Sequence, residues 1–169
     1  SFFLVFGGNY FPGDPGYDPD NPFVNPKVRG AVNHAIDREA LKDAFFPDPS
    51  VQNNTVLFFE PFRSNFKSDK WVPYEYNPEL AQELLAEGGY PDGLDIEVWT
   101  TDLSGVPGSA DVVEAIVPFL EAVGFRVKFI SGEYGPLLRE WKNADKSCCG
   151  KLFTTAYSAK PVYVHAASN

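Results

Sequence analysis

The chain has no methionine, only two cysteines and two histidines, and 14 Lys and Arg against 23 Asp and Glu. Each shortage excludes something. Without methionine, a chain that begins at Ser1 is expected to be part of a longer translation product. The two cysteines are neighbours, Cys148 and Cys149. Side chains on consecutive residues diverge, so no disulfide framework is expected and the thiols read as structural or free. A metal site needs further Cys or His ligands at suitable spacing, and only His34 and His165 exist. Neither metal nor cofactor is therefore expected. A net charge of -9 and a pI of 4.6 argue against a nucleic-acid surface, whose affinity comes largely from Lys and Arg on phosphates. No apolar run approaches the length of about 18 residues needed to span a bilayer, and no charged segment followed by an apolar one marks a signal peptide.

What is present fits one globular domain over residues 1–169, since 169 residues at 44% hydrophobic content can bury a core. Phe2-Phe3-Leu4-Val5-Phe6 reads as a buried strand ended by Gly7-Gly8. Residues 9–26 are dense in Pro, Gly, Asp and Asn and read as an irregular loop. Its Asp14, Asp18 and Asp20 miss the EF-hand spacing and suit turns instead. Asn25-Pro26 places a cap and then a proline where a helix starts. Asp37 repeats the cap, with Ile36 and Leu41 as a hydrophobic staple. The charges of this segment, Arg29, Asp37 and Arg38 among them, read as caps and solvated faces.

From Pro47 to Tyr76 scattered prolines and aromatics suggest a long excursion packed over the domain surface. Asn77-Pro78 begins another capped helix that ends at Gly88-Gly89. Alternation of Leu94, Ile96 and Val98 with Asp95 and Glu97 gives a strand. A helix through Val112 to Val123, kinked at Pro118, and a strand at Phe125, Val127 and Phe129 complete a right-handed βαβ unit. A short helix over 135–142 and a strand over 151–157 follow, so the class is α/β, a mixed sheet flanked by helices.

Enzyme signatures are missing. No G-x-S-x-G elbow occurs, and Gly105-Val106-Pro107-Gly108-Ser109 reads as a loop ending at a helix cap. No G-x-G-x-x-G or P-loop occurs either, and His34 falls within a predicted helix, so the chain is not read as an enzyme.

Two segments carry a resemblance. Arg29, Ala31, Ala35, Ile36, Asp37 and Arg38 form R-x-A-x-x-x-A-I-D-R, and residues 77–93 follow D-P-x-x-A-x-x-L-L-x-x-A-G-Y-P-D-G with Asn77 for Asp and Gly88 for Ala. The pair resembles the family 5 extracellular solute-binding proteins of ABC importers, the oligopeptide- and dipeptide-binding class. The resemblance implies one lobe of a type II periplasmic-binding-protein-like clamshell, from a larger two-lobed protein. It implies a monomer located in the periplasm or outside the cell, compatible with a lipid anchor, which hands a small solute to a membrane permease without covalent chemistry. Peptide-binding members often show G-W-x-x-D-Y-x-x-P in the last strand, where the Asp holds a peptide's ammonium group. Aligning that proline with Pro161 puts Thr154 at the Trp position and Tyr157 at the Asp position. The expected ligand site is thus Thr154, Thr155 and Tyr157, with peptide the first ligand class and oligosaccharide the second. A ligand-sensing receptor domain on the same fold is the competing role.

Overall fold

Three helices start with the same device. Asn25 accepts from the Lys27 amide ahead of α1 (Pro26–Ala35), Asp37 from Ala40 ahead of α2 (Arg38–Phe45), and Asn77 from Leu80 ahead of α3 (Pro78–Glu87). Each side-chain oxygen satisfies a backbone donor that the first turn leaves unpaired, and two of the helices add proline at the first position. In the computed structural model, residues 2–8, 10–14, 16–48, 74–103, 108–142 and 149–156 are described. The remaining elements are strands β1 (Phe2–Phe6), β2 (Leu94–Thr100), β3 (Phe125–Ser131) and β4 (Lys151–Ala156), with helices α4 (Ser109–Ala122) and α5 (Tyr134–Lys142). The expected excursion falls largely on residues 49–73, and these, with Cys148, Tyr157 and His165, lie outside the described residues.

The two motif segments are joined in space. α1 and α3 run antiparallel: Asn25 Nδ2 donates to the Gly88 carbonyl and Lys27 pairs with Glu87 at one end, while the Asn77 amide donates to the His34 carbonyl at the other. Gly88 is where the helices come closest, because a Cβ there would stand 2.8 Å from Val28 Cγ2. α3 then terminates through Gly89, whose φ of +103° is a left-handed value that glycine adopts without steric cost. Arg29 and Arg38 are clamps more than solvated charges. Arg29 donates to the carbonyls of Phe23 and Val24, and Arg38 to those of Asn33 and Ile36.

The sheet has the order β1-β4-β2-β3. β2 is parallel to β3 and β4, and β1 is antiparallel to β4, with Phe2 opposite Ala156. One face carries Leu94, Ile96, Val98, Phe125 and Leu152 into the main core with residues of α1, α3 and α4. The opposite face carries Trp99, Phe153 and Val5, which pack with Leu137 of α5. Strands buried on both faces read as apolar without strict alternation, as Leu152 and Phe153 do.

Asn21 fastens the base of this arrangement. It is buried, donates from Nδ2 to the Gly7 carbonyl, and accepts at Oδ1 from the amides of Phe23 and Gly150. The end of β1 and the start of β4 are thereby tied to one side chain. The loop aspartates form turns as expected, with Asp18 Oδ1 accepting from the Asp20 amide.

Candidate functional site

Chain direction through the sheet defines the site. From β2 the chain crosses by α4 to β3 on one side, then by α5 on the opposite face to β4 on the other side. The order therefore reverses between β2 and β4, and the carboxyl ends of these strands are the place where open α/β sheets hold ligands.

Five buried hydroxyl side chains lie at this end: Thr100 closing β2, Thr101 and Ser109 after it, and Thr154 and Thr155 on β4, each 5% exposed or less. Three are committed internally. Ser109 Oγ accepts from the Leu103 amide at 2.9 Å and donates to the Thr101 carbonyl at 3.3 Å. Thr154 Oγ1 donates to Thr100 Oγ1 across the strand pair at 3.3 Å. The hydroxyls of Thr101 and Thr155 have no partner among the described residues. The cap of α4 is Gly108, at φ +75°, so Ser109 is freed from capping to hold the β2 exit together. At the rim, Asp102, Glu133 and Tyr134 are exposed, and the Gly132 amide donates to the Thr100 carbonyl.

Charge is concentrated away from this end. Arg126 forms a two-pronged pair with Asp95, and Glu97 accepts from Lys128 at 2.7 Å and from Trp99 Nε1 at 2.8 Å. The Arg126 hydrogen bond holds the Asp95 carboxyl below its ordinary value. Burial pushes Glu97 up, but the hydrogen bonds from Lys128 and Trp99 outweigh it, so the net shift is downward. An open groove of about 460 Å³ lies beside these pairs, lined by Asp95, Glu121, Phe125, Arg126, Val127 and Lys128. Arg126 and Lys128 in its lining are already paired with Asp95 and Glu97, and we place the site at the strand ends instead.

Of the expected site residues, Thr154 and Thr155 stand at these strand ends and Tyr157 lies outside the described residues. The hydroxyl of Thr154 is spent on Thr100, whereas that of Thr155 is open. Thr100, Thr101 and Ser109 were not anticipated. The signal for them was a Thr-Thr doublet closing each of two apolar strands, Thr100-Thr101 and Thr154-Thr155. No group of acidic, His and Cys side chains suited to a metal occurs among the described residues, where the Cys149 thiol donates to Asp18 Oδ2 at 4.0 Å. His34 Nδ1 lies 2.9 Å from the Glu75 carbonyl, at the α1–α3 junction.

The glutathione-binding protein GsiB of Pectobacterium atrosepticum is 32% identical over 139 residues, spanning 82% of this chain and 26% of that protein. Heme-binding protein A of Haemophilus influenzae is 28% identical over 126 residues, 73% of this chain and 22% of its own length. Among solved structures, the periplasmic binding protein DppA of Helicobacter pylori with the peptide STSA superposes with a TM-score of 0.62 at 24% identity, covering 94% of this chain and 27% of that one. At such identity the likeness is one of fold, that of a periplasmic-binding-protein clamshell. The chain spans about a quarter of the relatives it matches. The family model described as bacterial extracellular solute-binding proteins, family 5 Middle, matches residues 2–165, and the chain belongs to that family.

Proposed function

We propose that residues 1–169 act as one lobe of the solute-binding component of an ABC importer, working as a monomer in the periplasm or outside the cell. The lobe captures a small polar solute, with peptide as the first ligand class and oligosaccharide as the second, and closes against a second lobe. The closed form is what the membrane permease recognises. No covalent chemistry is involved: ligand contacts made by both lobes shift the open and closed populations.

The observation that carries this reading is the set of buried threonines at the reversal of strand order between β2 and β4. Phe2 and Ala156 are register partners at the same end of the sheet, so β1 begins and β4 finishes there. In this reading a second lobe closes over the carboxyl ends of β2 and β4. The relatives named for glutathione, heme and peptide bind quite different solutes on this architecture, in keeping with a cleft whose specificity lies in side chains rather than fold.

The test is an environment-sensitive fluorophore on Asp102→Cys in the full-length protein, with Cys148 and Cys149 replaced by serine. Asp102 is exposed at the rim, and Glu83→Cys on the exposed side of α3 serves as the remote label. A saturable emission change with peptides or oligosaccharides at position 102 and silence at position 83 is expected. Equal response at both positions would contradict the placement.

A further inference from the structure

We infer that the group a ligand presents to this lobe is uncharged, a hydroxyl or an amide that both donates and accepts hydrogen bonds, and that Thr101 and Thr155 select it. The inference deepens the proposed function and rests on its placement of solute at the carboxyl ends of β2 and β4.

The buried hydroxyls divide by what they already do. Thr100, Thr154 and Ser109 satisfy one another or the backbone, and their removal would loosen the strand ends. Thr101 and Thr155 do neither: each is about 5% exposed or less, and neither hydroxyl has a partner among the described residues. A buried hydroxyl left unpaired costs about 1–3 kcal/mol, a cost that a ligand group removes when it supplies the missing hydrogen bond. The β2–β4 ladder sets Trp99 opposite Phe153, and Thr101 and Thr155 each lie two residues further along their chains. Both side chains are β-branched and stiff at χ1, so the pair is ordered before ligand arrives.

Charge gives the second half of the argument. All the buried polar side chains among the described residues, Asn21, Thr100, Thr101, Ser109, Thr154 and Thr155, are neutral. An ammonium or carboxylate seated here would lose its hydration with no buried counter-charge among the described residues, and an unpaired buried charge is far costlier than an unpaired hydroxyl. The rim carboxylates Asp102 and Glu133 are exposed and hydrated, so solvent weakens their hold on a cation. A hydroxyl loses little on entering and meets groups able to act as donor or acceptor.

Calorimetric titration of the full-length protein tests this with three ligand sets: neutral oligosaccharides, N-acetylated dipeptide amides, and free dipeptides. At least one neutral set is expected to bind, and which one identifies the source of the hydroxyl or amide. Thr101→Val and Thr155→Val, which keep shape and remove the hydroxyl, are each expected to weaken that ligand about five- to tenfold, the worth of one net hydrogen bond. Their melting temperatures should equal or exceed the parent's, because valine removes a buried hydroxyl that has no partner among the described residues. Thr154→Val is the contrast, expected to lower the melting temperature by stranding the Thr100 hydroxyl. Tight binding of free dipeptides that N-acetylation abolishes, or affinity indifferent to both valines, would overturn the inference while leaving the importer reading in place. No saturable heat with any of the three sets would contradict both.

Discussion

Asn21 shows how one buried polar residue can fix a lobe. Its amide joins the exit of β1, the entry of β4 and the turn between them, leaving each partner dependent on it. Asn21→Ala is expected to lower stability by about 2–3 kcal/mol, since buried backbone groups left unpaired each carry a desolvation cost. A urea midpoint unchanged from the parent would contradict that. Glu97 offers a test through pH. Its folded pKa lies below the unfolded value, so its ion pair contributes stability that is present above about pH 4.3 and is lost as pH falls through the lower folded pKa. Glu97→Gln is therefore expected to flatten the fall in melting temperature as pH drops below about 4.3, whereas an unaltered acid limb would show the pairing with Lys128 to be inert.

At the scale of elements, the α1–α3 pair explains why two separated motifs belong together. The caps were legible because Asn25-Pro26, Asp37 and Asn77-Pro78 place a hydrogen-bonding side chain just where a helix has spare donors. Their tertiary consequence was not: Gly88 looks like a helix end in sequence, yet its missing Cβ is what lets Val28 approach. Gly88→Ala is expected to cost about 1–3 kcal/mol by overpacking. Val28→Ala should cost less in that background than alone, since it clears the clash. Additive losses would mean the helices do not meet as described. The strand and helix periods of β2, α4 and β3 were readable because one face of each is buried. The roles of Arg29 and Arg38 were not, because carbonyl clamping leaves no periodic trace. The site was half legible: Thr154 and Thr155 follow from motif alignment, but Thr100 and Thr101 become candidates only once β4 is known to lie beside β2, a pairing between residues about fifty positions apart.

Across the whole molecule, the division of labour runs along the strands. Ion pairs, apolar layers and the Asn21 clamp stabilise one end and the faces, while the carboxyl end keeps neutral buried hydroxyls. In the proposed reading such a lobe offers half of a binding surface, and affinity depends on what closes over it. The most direct test of that account is small-angle X-ray scattering of the full-length protein, alone and saturated with whichever peptide or oligosaccharide binds. The account predicts a smaller radius of gyration on saturation, lessened when Thr155→Val lowers ligand occupancy. Saturated binding with no compaction would contradict capture by closure.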